Sequence, residues 1–280
     1  MLALVTCRAA ADLDTDLPLL HRELPEASVV AWDDPTVDWG ACSIAIVRST
    51  WDYHTRRPDF LRWARHVSDV STLWNPIDLI AWNTDKRYLA ELGRGGVPIV
   101  PTTFVGDPHD IDRAASEGAF DGDVIVKPTV GASASGVLLA RDDPASAEQH
   151  ARSLVRSGAE AMVQPYLDAV EQGGETGLVY LGGEFSHAFR RRVVLPSAGG
   201  DNGLLGLETS EARGATEAER LVGDAVMDRL PETAYARVDL VGTPTGPVLL
   251  ELELTEPSLF LHLDPGAAAR AAAVFRSLVP

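Results

Sequence analysis

The stretch AYARVDLV (residues 234–241), followed by GTPTG (242–246) and PVLLELEL (247–254), decides how the rest of the chain is read. Both apolar arms alternate with the two-residue period of a strand, and the Gly/Pro/Thr cluster between them has turn chemistry, so the stretch predicts a β-hairpin. The period sends Arg237 and Asp239 to one face and pairs Glu251 with Glu253, while Leu250, Leu252 and Leu254 form an opposite, core-facing row. With the turn centred near Pro244 and Thr245, Asp239 falls roughly across from Glu251, and three carboxylates share a small patch. Two such charges about 4 Å apart repel by roughly 4 kcal/mol at an intermediate dielectric, so the patch requires a cation or a shifted pKa. An all-oxygen set suits Mg²⁺ or Mn²⁺. A solvated strand face is the other reading of the same pattern.

Composition bounds the partners. The 280 residues are 45% hydrophobic, enough for a sizeable core in two or three small units. Against 41 acidic residues stand 24 Lys and Arg, a formal charge of −17. Such a chain has no basic excess with which to displace counterions from nucleic acid or to bind an anionic membrane. Any phosphate ligand must be held by a few placed cations and backbone N–H groups. Cys7 and Cys42 lie in no CxxC or Cys/His spacing, which points away from a disulfide framework or structural zinc and toward a reducing cytoplasm. The opening MLALVTCR lacks a basic leader and reads as a first buried strand.

Along the chain, residues 1–80 form an α/β unit. Leu2–Thr6, Ser28–Trp32 and Cys42–Val47 read as strands and Asp14–Leu24 as a helix. The polar run Arg48-Ser49-Thr50-Trp51-Asp52 after the third strand is placed where open parallel sheets bind ligands. Residues 77–92, containing Lys86, carry helical spacing, and a strand is expected over 99–104. A second α/β unit occupies 81–163. Its centre is an apolar strand ending in Lys127, followed by Gly131-Ala132-Ser133-Ala134-Ser135-Gly136, a flap whose backbone N–H groups can approach phosphate oxygens. The Walker A pattern fails, because Val137 and Leu138 stand where Lys and Ser/Thr are needed. No dinucleotide-binding GxGxxG is present, which disfavours an NAD enzyme. The last unit, 164–280, holds two strands around Gly182-Gly183, the second ending in Arg190-Arg191-Arg192. Alternation sends Arg190 and Arg192 to one face, read as an anion site or a charged edge strand. A glycine-rich segment over 199–207 suits a mobile loop. The hairpin and a terminal Ala-rich helix follow.

The order of these motifs resembles the ATP-grasp superfamily of carboxylate–amine ligases, in its glutathione-synthetase-like branch. That order runs from Lys86 before Gly96-Val97-Pro98, through Val126-Lys127-Pro128 with its Gly/Ser flap, Gln164-Pro165-Tyr166-Leu167 and the arginine strand, to Arg237-x-Asp239 and Glu251-x-Glu253. It covers residues 75–258. Three shorter stretches, RSTWDY (48–53), GEFSH (183–187) and ELELTEPSL (251–259), are similar to the cyclo-ligases that make D-cycloserine from O-ureido-D-serine.

The resemblance implies an α/β (α+β) ATP-grasp fold: an N-terminal pre-ATP-grasp domain (1–80), a lid domain (81–163), and a C-terminal domain (164–280) with ATP held between two antiparallel sheets. It implies ATP and Mg²⁺ (or Mn²⁺) as cofactors. Lys86 and Lys127 would meet the phosphates beneath Gly131, Ser133, Ser135 and Gly136, while Gln164, Tyr166 and Leu167 would line the adenine slot. The ribose hydroxyls fall to Glu171 or Glu175. Asp239, Glu251 and Glu253 would hold the metal. Glu253 departs from the common pattern, which has an Asn there, and its added charge favours two ions. Arg190 and Arg237 would steady the transferred phosphoryl group or the substrate carboxylate. Arg48, Ser49, Thr50, Trp51, Asp52, Asn202, Glu256 and Ser258 are assigned to the substrate.

A carboxylate is a poor acyl donor, and phosphorylation by ATP turns it into an acyl phosphate that an amine can attack. The step needs positioning and positive charge more than a protein nucleophile. The expected partners are therefore a small amino-acid-like substrate, no nucleic acid, no membrane and at most a second copy of the chain. An ATP-grasp kinase and an ATP-binding regulatory protein without turnover are the alternatives.

Overall fold

The computed structural model describes residues 1–132, 135–194 and 207–280 and is built on three sheets. The first is parallel, with β1 (Leu2–Thr6), β2 (Ala27–Ala31), β3 (Ile44–Ser49) and β4 (Thr72–Trp74) in the order β2-β1-β3-β4. Every residue of β1 and β3 is buried because both faces are covered, which explains their unbroken apolar runs. Helix α1 (Leu17–Glu23) and the C-terminal helix pack on Leu2, Leu4, Ile44 and Ile46. Helix α2 (Arg57–Val70) brings Phe60, Trp63 and Val67 against Val5, Ala45 and Val47 on the other side. Helix α1 starts three residues later than expected. Asp14 instead turns its carboxylate to Asp16 N at 2.8 Å, and Pro18 sits in the first turn.

The helix expected over 77–92 is two helices, α3 (Ile77–Asn83) and α4 (Tyr88–Arg94). The chain opens between them because Lys86 N donates to Thr129 O, 2.9 Å away in another part of the fold.

The second sheet is antiparallel, with β5 (Thr103–Val105), β6 (Val124–Pro128), β7 (Leu138–Ala140) and β8 (Ala161–Pro165) in the order β5-β8-β6-β7. Helices α5 (Pro108–Ser116) and α6 (Pro144–Arg156) cover one face through Ile111, Ala114, Ala147 and Ala151. The strand expected over 99–104 is shorter. Pro98 and Pro101 bring no N–H to a ladder, and Ile99 makes only an isolated bridge to Leu249.

The third sheet is antiparallel and carries the site. After α7 (Asp168–Gly173) come β9 (Glu175–Leu181), β10 (Glu184–Val194), β11 (Leu207–Arg213), α8 (Glu217–Met227), β12 (Tyr235–Thr243), β13 (Gly246–Glu253) and α9 (Ala267–Ser277). The strand order is β11-β10-β9-β12-β13. One face, with Leu178, Tyr180, Val238 and Leu252, packs on Val222 and Val226 of α8 and on Tyr88 of α4. The other face divides. Val179, Phe189 and Tyr235 pack against Leu4, Ile46 and Phe275, whereas Glu175, Arg191, Arg237, Glu251 and Glu253 face a cleft.

The hairpin has the expected pairing at its centre, Asp239 opposite Glu251 and Arg237 opposite Glu253, and then shifts so that Leu240 pairs with Leu249. Leu250 is the extra residue of this bulge. Instead of joining the core row with Leu252 and Leu254, it lines the cleft.

Gly177 on β9 lies beneath the ring of Phe189, which a Cβ would strike; Phe189 is itself fully buried, with its ring 4.2 Å from that of Phe260. Gly177→Ala is therefore expected to destabilise the protein by about 1–3 kcal/mol, read from urea unfolding. No helix of the described residues is long and apolar enough to cross a membrane.

Candidate active site

Between the second and third sheets lies a cavity of about 260 Å³. Lys127, at the end of β6, and Lys86, in the turn before α4, enter from one side. Glu251 and Glu253 enter from the other. Lys86 joins the two walls: its Nζ donates to Gly131 O at 2.7 Å and lies 3.0 Å from Glu251 Oε1. Burial would push Glu251 up, but the Lys86 and Lys127 ammonium groups prevail and hold its carboxyl at about 2. Burial lowers the Lys127 ammonium, and Glu251 offsets this only in part. Among the described residues Lys127 has no carboxylate within ion-pair distance, so its charge is available to a ligand.

Asp239 is 1% exposed and lies behind the cleft surface, held by Arg237 at 2.8 Å and by Arg191 at 3.1 Å. Arg237 also pairs with Glu253 and donates to Ser258 O at 3.0 Å. Burial, reinforced by Asp239 and Glu251, pushes the Glu253 carboxyl up to about 7 despite the pull of Arg237. Glu256 is likewise pushed well up by burial, with Glu253 beside it. The three acids lie close enough for Asp239 and Glu251 to act on Glu253, but each is paired separately. Among the described residues no three of His, Cys, Asp and Glu converge on a metal position, because each acid is turned to the nearest guanidinium or ammonium.

The arginine strand is read one residue out of phase. Arg190 pairs with Thr176 across β9 and reaches Glu211, 3.3 Å away, on the face turned from the cleft. Arg191 is the residue that faces the cleft, 2.7 Å from Glu175 and 3.1 Å from Asp239. Counted straight out from the Gly182-Gly183 turn, Glu175 would face Arg190; a register shift between Phe185 and His187 puts Arg191 opposite Glu175 instead, on the face of Asp239. Glu175 is thus committed to Arg191, whereas Glu171 stands at the rim, paired with Arg141, whose guanidinium lies 5.0 Å from the Tyr166 ring.

Gln164, Tyr166 and Leu167 line the cleft, joined by Ile125 and Leu250, which sequence reasoning missed. The Gln164 amide donates to Thr102 Oγ1 at 2.9 Å. Ser135 is in the wall, and Gly136 takes a positive φ of 71°. Ser133 and Asn202, with the glycine-rich segment 199–206, lie outside the described residues.

Of the run 48–52, only Trp51 lines the cleft. Strand β3 continues through Ser49, two residues further than read, so the neighbouring side chains enter the interior. Arg48 is 1% exposed and donates to Pro257 O at 2.9 Å; Ser49 bonds Thr6 at 2.8 Å; Thr50 is buried. Asp52 accepts from Trp32 Nε1 at 2.9 Å and pairs with Arg56. Trp51 Nε1 donates to Glu256 O at 2.9 Å, and Glu256 and Ser258 both face the cleft.

Residues 2–75 match the family described as the N-terminal domain of D-cycloserine synthetase DcsG. The chain is 34% identical over 288 residues to the cycloserine biosynthesis protein DcsG of Streptomyces lavendulae, covering 96% of each. It is 24% identical over 205 residues to a glutathione synthetase of Ralstonia nicotianae, covering 72% of this chain and 60% of that one. The crystal structure of D-cycloserine synthetase DcsG superposes with a TM-score of 0.87 at 31% identity, covering 100% of this chain and 99% of that one. A D-alanine–D-alanine ligase of Bacillus anthracis shares the fold, with a TM-score of 0.68 at 12% identity over 99% of this chain and 96% of that one. ATP-grasp ligases use ATP with Mg²⁺. A relative of this identity along nearly the whole length, and a cleft of paired lysines and acids between two antiparallel sheets, show that the chain belongs to the DcsG family of ATP-grasp enzymes, ATP-dependent ligases that form carbon–nitrogen bonds.

Proposed function

We propose that the enzyme closes a ring within one small amino-acid-like substrate, with O-ureido-D-serine as the compound and D-cycloserine as the product. The observation that carries this reading is the bridge made by Lys86 between Gly131 O and Glu251, which brings the cationic wall and the acidic hairpin to one point. Beside that point stands a segment, Glu256 to Ser258, tied to the N-terminal unit through Trp51 and Arg48.

The donor set fits a magnesium nucleotide. Glu251 and Glu253 offer oxygen ligands at the cleft with Asp239 behind them, and Mg²⁺ needs only one or two carboxylates when phosphates supply the remainder. Lys86, Lys127 and Arg191 supply charge for the phosphates, with Arg237 behind them. Ile125, Leu250, Tyr166 and Leu167 supply an apolar slot, and Glu171, the more exposed of the two candidates, is the ribose acid. Bound ATP supplies the phosphoryl group that converts the substrate carboxylate into an acyl phosphate. The chain's own residues hold the two reactants together and exclude water from them. Residues 1–80 serve as the substrate unit, 81–163 as the lid and 164–280 as the metal-bearing unit.

Incubation with ATP, Mg²⁺ and a panel of O-ureido-D-serine, alanine-like amino acids and small dipeptides tests the substrate class. The largest ADP release is expected with the ureido compound. A response confined to pairs of amino acids would replace ring closure by ligation of two molecules.

A further inference from the structure

After β13 the chain leaves the sheet, yet five successive carbonyl oxygens, from Thr255 to Leu259, each lie within hydrogen-bond reach of a side-chain donor. The Tyr235 hydroxyl shares its one proton between Val47 O and Thr255 O, the latter 2.8 Å away, while Trp51 Nε1 donates to Glu256 O at 2.9 Å and Arg48 Nη2 to Pro257 O at 2.9 Å. Arg237 Nη1 donates to Ser258 O at 3.0 Å and His187 Nε2 to Leu259 O at 2.9 Å. The amides are held as well: Asp16 accepts Leu259 N at 2.6 Å and Leu261 N at 2.9 Å. Phe260, between those amides, takes a left-handed φ of 50°, a conformation that a bulky residue keeps only where its surroundings impose it.

Four of these partners, Tyr235, Asp16, Arg48 and His187, lie away from the cleft. Asp16 and Arg48 are each 1% exposed, 3.7 Å apart as an ion pair, and belong to the N-terminal unit. His187, on β10, is 4% exposed. A carbonyl can only accept, so His187 carries its proton on Nε2, and Nδ1 accepts from Ser186 Oγ at 2.9 Å. Ser186 Oγ in turn accepts from Arg270 Nη2 at 3.0 Å. The relay from Arg270 fixes the imidazole's tautomer and orientation.

We infer that Asp16, Arg48 and His187 are positioning residues that set the pose of residues 255–261, and through it the cleft-facing side chains of Glu256 and Ser258, for recognition of the amino-acid substrate. This rests on the reading of Glu256 and Ser258 as the substrate wall. A conventional turn would satisfy its carbonyls locally. Here they are committed to distant elements, so the segment is a fixed platform whose placement depends on the register of the first and third sheets. Displacement of a substrate-positioning group by about 1 Å can lower the rate about 10²-fold, so a fixed platform has a direct catalytic consequence.

The test is steady-state ADP release by the full chain with O-ureido-D-serine and ATP varied separately. His187→Ala is expected to raise the substrate KM by about tenfold while changing the ATP KM less than about twofold, the size of effect expected from one lost hydrogen bond at a positioning contact. His187→Gln, whose amide can donate to the same carbonyl, is expected to return the substrate KM to within about threefold of wild type. Should His187→Ala be recovered unfolded, Asp16→Asn gives the same reading, since it preserves side-chain volume and spoils one of the two acceptors. Equal shifts in both KM values, or no shift in a folded variant, overturn the inference. A wild-type enzyme that responds to no amino-acid substrate overturns the proposed function itself, a separate outcome.

Discussion

Glu251→Gln is expected to lower the rate of ADP release by about 10²–10³-fold, the usual loss when one preorganised charge at a transferring group is removed. Glu251 is the acid on which both lysines act. Their pull holds its carboxyl at about 2 in spite of burial, so it is fully ionised at every pH at which the enzyme would be assayed. Gln keeps the shape and an oxygen donor but not the charge. Lys86 then keeps an oxygen acceptor there but loses the opposite charge 3.0 Å away. Lys127→Ala is expected to give a loss of similar size from the opposite wall. A coupled ADP assay, with thermal unfolding as a control for folding, reads both, and wild-type turnover in either variant would place the phosphate site elsewhere.

Arg237→Ala is expected to have the largest effect on stability, about 3–5 kcal/mol in metal-free buffer, because it leaves buried charges short of their partner. Arg237 pairs with Asp239 and Glu253 and also holds Ser258 O, all from a side chain 2% exposed. Two additions should separate electrostatics from packing. Mg²⁺ should raise the melting temperature of the variant more than that of wild type, since a divalent ion can take the place of the lost guanidinium. The second addition is acid. Burial, with Asp239 and Glu251 beside it, already pushes the Glu253 carboxyl up to about 7 against the attraction of Arg237. A carboxyl raised above its unfolded value favours the folded state at low pH and loses that favour as pH rises through the folded value. Without Arg237 the value rises further, so the deficit relative to wild type should grow above pH 7 and shrink toward pH 5. Urea unfolding across that range checks the sign. A deficit independent of both pH and Mg²⁺ would assign the loss to packing alone.

The hairpin was legible because strand period and turn chemistry are local, but counting out from Pro244 and Thr245 puts Asp239 across from Leu250, and only the extra residue brings Glu251 opposite it. Leu250 was not, since a bulge is a matter of pairing between strands and leaves the alternation of either strand intact. The same limit explains Arg190 and Arg191. Alternation groups Arg190 with Arg192, but only the partner strand decides which face meets the cleft. Helix α5 could have been found from Asp107, Pro108 and the Ile111–Ala114 spacing, whereas α7 buries none of its residues and shows no period. Arg48 looked like a substrate contact because it follows an apolar strand, and nothing local reveals that its acceptor lies 209 residues away. The platform was invisible for that reason: its bonds join residues whose order in the chain says nothing of their contact.

The most direct test of ring closure at this cleft is product analysis by mass spectrometry and NMR after incubation of the full chain with ATP, Mg²⁺ and O-ureido-D-serine. The predicted result is ADP, inorganic phosphate, the carbamoyl group released as carbon dioxide and ammonia, and a cyclic product with a new carbon–nitrogen bond at the former carboxyl carbon. A stable phosphorylated substrate with no such bond would contradict it and identify the enzyme as a kinase on the same fold.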